Sequence, residues 1–152
     1  PKDAQVAQAV AQMLTRVGIM TTVELMPIAI LTSRGSKFEF SLLMLGARAD
    51  SGEAGMGLVQ LLATYDASRG TGANNRGRYS NPKLDAMLSA ALVVMEDDKR
   101  AVMISEAMEV GMRDVGLVTL YAMQNSWAAR KGVIVSPRVD DLNMAMSMRP
   151  EK

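Results

Sequence analysis

From residue 3 onward, apolar side chains recur at three- and four-residue intervals: Val6, Val10, Met13, Leu14 and Val17. That spacing draws one stripe along a helix and predicts α-helix over 3–17. Asp3 suits the N-cap and Gly18 the stop. The period then falls to two. Ile19, Thr21, Val23 and Leu25 share one side and Thr22 and Glu24 the other, which predicts a strand over 19–26 with one face less buried. Pro27 opens a short helix over 28–36, closed by Gly35-Ser36-Lys37. Phe38 to Leu45 reads as a second strand, apolar on both sides from Leu42 onward, as expected of a central strand covered on both faces. Strand, helix and strand in so few residues predict a right-handed βαβ unit. A helix at 3–17 would then follow a strand that precedes Pro1, so the chain reads as part of something longer.

The second half is mostly helical in pattern. Residues 55–65 predict a helix with Met56, Leu58, Val59 and Leu62 inward. Residues 66–80 carry Gly70, Gly72, Gly77, Asn74 and Asn75 and predict a long surface loop. Its Arg69, Arg76 and Arg78 are expected to be solvated, and an anion-binding nest of backbone N–H groups is the functional alternative. Asn81-Pro82 is a cap followed by a first-turn proline. Leu84, Met87, Leu88, Ala91, Leu92 and Met95 form that helix's apolar face. Asp97-Asp98 begins another helix at the positive end of its dipole, with Ala101, Ile104, Met108, Met112 and Val115 as its stripe. The two read as an antiparallel hairpin joined at Glu96-Asp97 and closed by Gly116. Short strands are predicted at 117–121 and 133–135. The tail, 138–152, alternates only weakly at Met144, Met146 and Met148. There is no internal repeat.

This pattern predicts a single α/β domain with a mixed, mostly parallel sheet flanked by helices. The 152 residues suffice for one core. A hydrophobic share of 49% with 22% charged residues fits a globular domain. Net charge is +1, so no overall field draws the chain to nucleic acid or a charged membrane. With no Cys and no His, cysteine nucleophiles, most zinc sites and the usual neutral-pH general base are excluded. No cofactor and no metal are expected. Fourteen Met against six aromatics describe a core filled by flexible side chains.

Candidate chemistry gathers at FEFSLLMLGARADSGEA, residues 38–54, where an apolar run stops at Gly46 and delivers Asp50 and Glu53 into a polar loop. In open α/β sheets, ligands sit outside the carboxyl ends of strands. As a catalytic pair, the two acids would need split pKa values and a nucleophile nearby, which the chain does not offer. One carboxylate holding a ligand ammonium or guanidinium asks for less. An ordinary strand and turn remains the plainer reading of the spacing. Trp127, the single Trp, either stacks on a ligand or packs in a core, and packing is the commoner fate.

Five stretches in order carry a resemblance: KDAQVAQAVAQMLTRVGIMTTVELMP, FSLLMLGARADSGEA, NNRGRYSNPKLDAML, DDKRAVMISEAMEVGMRDVGLVTLY and QNSWAARKGV. Together they resemble the C-terminal lobe of family 5 solute-binding proteins of ABC transporters, the dipeptide- and oligopeptide-binding and nickel-type class. The resemblance extends to about Pro137. It implies one α/β lobe of a periplasmic binding protein-like fold, a ligand cleft against a second lobe, hinge closure on the solute, and delivery to a membrane permease. It implies a periplasmic or extracellular, membrane-associated location and no catalysis. Peptide is the first candidate solute; relatives also take nickel chelates, sugars and opines. In peptide-binding members an Asp after the strand holds the peptide α-amino group, and Asp50 stands at the matching position. Arg48 and Ser51 beside it, and Asn125 and Trp127 downstream, complete the implied ligand contacts. Members often carry Gly-Trp where this chain has Gly46-Ala47, and Arg48 is unusual there. A lobe alone is expected to bind solute weakly, to send 138–152 toward the first lobe or leave it disordered, and to associate as a homodimer through apolar surface near 127–135. The alternative is a non-catalytic α/β structural or protein-interaction domain.

Overall fold

Asn81 shows how the sequence sets the start of a helix. Its side-chain oxygen accepts from the backbone N–H groups of Lys83 and Leu84 at 3.0 and 3.2 Å, satisfying two donors of the first turn. Pro82 then starts a helix that runs to Leu92. The computed structural model describes residues 3–47, 53–124, 126–138, 140, 142 and 144–151. Among these it has five helices: α1 (Asp3–Arg16), α2 (Ile28–Ser36), α3 (Gly55–Leu61), α4 (Pro82–Leu92) and α5 (Asp97–Arg113). Two three-residue strands, β1 (Val133–Val135) and β2 (Met148–Pro150), pair antiparallel, Ile134 facing Arg149. A single 3-10 turn, Ala145–Ser147, leads into β2. None of the helices is long and apolar enough to cross a membrane.

The helices and β1 fall where the sequence pattern puts them, and the parallel sheet does not form among the described residues. Residues 19–27 and 39–47 make no strand ladder. Neither do 117–121. The alternation at 19–26 survives only as half-buried Thr21 and Val23 between exposed neighbours. Leu42, expected to be covered on a central strand, is 66% exposed. A strand is stabilised through its neighbour's hydrogen bonds, so a favourable pattern without a pairing segment yields none.

The described chain forms two compact units, Pro1–Gly46 and Ala47–Lys152. In the first, α1 ends in a left-handed Gly18, with the Ile19 N–H bonding back to the Leu14 carbonyl at 2.9 Å. Arg34 organises the rest. Its guanidinium bonds Glu24 and Glu39 at 2.8 Å each and lies 4.5 Å from the Phe40 ring centroid. One side chain thereby ties the segments before and after α2 to the helix between them.

In the second unit the core is Leu58, Val59, Leu62, Ala63, Leu84, Leu88, Ala91, Ile104 and Ala107. Leu62, Leu84 and Leu88 are its largest fully buried side chains. Helix α5 presents Ile104, Ala107 and Gly111 inward, while Met108 and Val115 are exposed. The stripe is therefore rotated from the one that hydropathy picks out, because small residues let α4 and α5 approach closely. A Cβ on Gly111 would stand 3.1 Å from Leu62 Cδ1 and 3.5 Å from Leu84 Cδ2, and one on Gly55 would stand 2.9 Å from Ile104 Cδ1. Leu84 at the start of α4 thus lies near the end of α5, and the two helices run antiparallel. Gly55 takes the inward place expected of Met56, which is 57% exposed.

Leu84→Ala removes a fully buried side chain from the meeting point of α3, α4 and α5. It should cost about 2–5 kcal/mol, the range for emptying a packed leucine site. Urea unfolding followed by circular dichroism measures this, and a midpoint equal to wild type would refute the placement.

Candidate ligand-binding site

Of the residues expected to contact a solute, Arg48, Asp50, Ser51 and Asn125 lie outside the described residues. Trp127 is half-buried between exposed Ser126 and Ala128. The structure therefore informs the site through its surroundings. Glu53, paired with Asp50 in the sequence reading, is engaged by an arginine. Its carboxylate accepts from Arg100 Nε at 2.5 Å. Arg100 also donates to the Val94 carbonyl at 2.8 Å and to Asp97 at 2.5 Å. Its side chain is 20% exposed, the most sheltered member of the cluster. The guanidinium is held above its ordinary pKa, first by the bond to Glu53 and next by that to Asp97. This is a fork bridging the start of α3, the α4–α5 connection and the first turn of α5.

The Gly-rich loop lies mostly exposed, as expected, with Arg69 and Arg78 at the surface, but it is pinned at the buried Gly72 and Asn75. Asn75 is 6% exposed, and its amide supplies three bonds: donation to the Ala63 carbonyl at 3.0 Å, donation to the Tyr79 carbonyl at 2.7 Å, and acceptance from the Tyr79 N–H at 3.1 Å. Backbone N–H groups of Gly72 and Asn74 donate to the Val59 and Gln60 carbonyls of α3 at 3.0 and 2.9 Å. Those of Asn75 and Arg76 donate within the loop. An anion nest needs such groups converging and unengaged, and here they hold the loop to the helix instead. Arg78, at φ 54, lies 4.9 Å from the Tyr65 ring centroid, and Arg69 reaches Ser89 at 3.4 Å. Asp66 caps its own turn by accepting from Ser68 Oγ and the Ser68 N–H at 2.6 and 2.8 Å. Those bonds, the hydroxyl's first, hold its carboxyl below the usual carboxylate range.

Two further polar clusters fasten the loop to α4 and α5. Asp85 accepts from the Thr64 N–H at 2.8 Å and from Thr64 Oγ1 at 2.6 Å. Tyr79 donates its hydroxyl to Asp114 at 2.8 Å, and the Asn81 amide donates to both at 3.1 Å. Asn81 thus caps α4 with its oxygen and fastens the end of α5 with its nitrogen. Burial, and next the Asp114 carboxylate, push the Tyr79 phenol above its ordinary pKa. Sequence reasoning found the Asn81 cap and missed Asn75, Asp85 and Arg100. Nothing in NNRGR separates the buried Asn75 from the exposed Asn74, and Arg100 sits in an ordinary solvated-helix charge pattern.

Among the described residues, two shallow, open depressions lie along α1 and the segment after it. One of about 380 Å³ is lined by Ala4, Gln5, Gln8, Ala9 and Gln12, and one of about 270 Å³ by Gln8, Ala11, Gln12, Thr15, Arg16 and Thr21. Neither contains an expected ligand contact. Among the described residues, no three Asp or Glu side chains converge as a metal site would require. Comparison with models of protein families, with curated proteins and with solved structures gives no match to this chain.

Gly72 has φ +65, and a Cβ there would stand 2.5 Å from the Ala63 carbonyl oxygen and 2.7 Å from Tyr65 backbone atoms, whereas one on Gly77 would meet nothing within 4 Å. Gly72→Ala should therefore destabilise by about 2 kcal/mol or more and Gly77→Ala by less than about 0.5 kcal/mol, compared by urea unfolding. Equal effects would contradict the packed loop. Because Tyr79 keeps its proton to higher pH when folded, its contribution is complete below the unfolded value of about 10 and is lost as pH rises through the folded value. Tyr79→Phe should cost about 1 kcal/mol at neutral pH and flatten the alkaline loss of stability, as measured by chemical unfolding at several pH values.

Proposed function

We propose that this chain is one α/β lobe of a family 5 solute-binding protein. It captures a peptide or similar small solute in a cleft between two lobes and passes it to the permease of an ABC importer, in the periplasm or outside the cell in association with the membrane. The observation that carries the reading is the ordered series of five segments, which together span most of the chain. Helices with a small sheet are its coarse structural support. The finer expectation, a mostly parallel sheet, would have 19–26 and 38–45 pair with strands from elsewhere in the whole receptor. Unladdered apolar stretches favour this: Leu25 is 65% and Leu42 66% exposed. In this reading Asp50 binds the solute's cationic group, with Arg48, Ser51, Asn125 and Trp127 around it.

A protein-interaction domain is the second reading, and the same apolar exposure favours it. Met20, Val118 and Tyr121 are 85, 67 and 52% exposed. Exposed apolar side chains of that kind, in each unit taken by itself, suit a macromolecular partner as well as missing strands.

Isothermal titration of the intact two-lobed receptor with short peptides separates the two. Asp50→Ala should weaken binding by about 2–4 kcal/mol, the scale for losing a buried charged hydrogen bond. Unchanged affinity would remove Asp50 from the site, and no affinity for any small solute would leave the interaction domain as the reading.

A further inference from the structure

The Met26 thioether sits against a cation. Arg34 Nη1, which donates to Glu24 at 2.8 Å, also reaches Met26 Sδ at 3.8 Å. Nε of the same guanidinium donates to Glu39 at 2.8 Å. Met26 is half-buried and the Arg34 side chain is 33% exposed, so small solutes have access to the contact. Among the described residues of the first unit, only Ala11 and Gly35 are buried. With so little core, the fastening of the segments on either side of α2 falls to this guanidinium, and the strength of each of its contacts matters.

The thioether is the weakest acceptor in the cluster. A sulfoxide is a much stronger one, because its oxygen carries partial negative charge. Oxidation of a packed methionine ordinarily damages a fold by setting that oxygen among apolar atoms. At Met26 the new oxygen meets a donor instead. The side chain has three rotatable bonds, so the oxygen can turn toward the guanidinium. A hydrogen bond from a charged donor is about twice as strong as a neutral one.

We propose that Met26 is a modification site for hydroperoxides, at which oxidation to the sulfoxide tightens the hold of α2 on the segment before it. The sulfur lone pair attacks one peroxide oxygen, the O–O bond breaks and an S–O bond forms. Sulfur loses two electrons, and the peroxide is reduced. With hydrogen peroxide, the departing hydroxide takes the proton shed by the transferred oxygen and leaves as water. Methionine sulfoxide reductases reverse the step. The site lies wholly within the first unit and does not depend on solute capture.

The test treats the chain and its Met26→Leu variant with the same dose of hydrogen peroxide. Peptide mass mapping reads oxidation, and hydrogen exchange reads the hold on residues 19–26. Met13 and Met20, 63 and 85% exposed, oxidise in both proteins and serve as internal standards. Met26 should gain one oxygen at a dose that converts Met20. Exchange over 19–26 should then be about threefold or more slower in the oxidised wild type than in the oxidised variant, and reductase treatment should restore the untreated rate. Met26→Gln carries an acceptor oxygen at similar reach and should slow exchange over 19–26 relative to untreated wild type, with no peroxide and whether or not Met26→Leu folds. Met26 left unoxidised beside a fully converted Met20 would overturn the proposal. Equal or quicker exchange in the oxidised wild type, or in Met26→Gln, would overturn it as well, since the new oxygen would then gain nothing from Arg34.

Discussion

Leu62 is the side chain on which the second unit depends. It is fully buried at the end of α3, and its two methyl groups face the places on α5 and just beyond it where Gly111 and Gly116 carry no side chain. Three helices can surround one leucine only if the surrounding backbone comes close, and interiors pack at crystal-like density. Ala91, Ala107 and Gly111 allow that approach on α4 and α5. The loop over 66–80 then has a fixed wall to lie against, and its buried asparagine can complete three hydrogen bonds to backbone already in place. The order of dependence runs from apolar packing to polar fastening. A buried amide stabilises only when its partners are held in position.

Much of the helical architecture was legible in the sequence. Asn81-Pro82 and Asp97-Asp98 gave starts, Gly18 gave an end, and the apolar spacing gave helix type. The inward face of α5 was not legible, because alanine and glycine carry little hydropathy yet occupy the contact. Nor was the character of the Gly-rich loop. Composition alone reads Gly70, Gly72 and Gly77 as permissive, whereas Gly72 is required by a carbonyl a van der Waals contact away. The strands expected over 19–26, 38–45 and 117–121 do not form among the described residues, for a different reason. Alternation reports which faces a strand would bury, and it says nothing about whether a pairing segment exists.

The candidate site divides along the same line. Glu53 was legible as a carboxylate in a loop after an apolar run, and its partner was not, since 47 residues separate it from Arg100. Long-range ion pairs leave no periodic signature. What the three-dimensional arrangement adds is the partner of Glu53. Its carboxylate is engaged by the Arg100 guanidinium within the protein.

The exit from α5 holds two demands in adjacent positions. Val115 adopts φ +54, a left-handed conformation unfavourable for a β-branched residue, and the Gly116 N–H closes onto the Gly111 carbonyl at 3.0 Å. The glycine that would relax the turn sits one place later, where a Cβ would stand 3.0 Å from both Leu62 Cδ2 and the Tyr79 ring. Moving it back by one residue would exchange backbone strain for a steric collision. The local frame is therefore locked: a single-residue insertion or deletion between Asp114 and Leu117 has no neutral solution, and drift at this corner is confined to changes of side chain at 115.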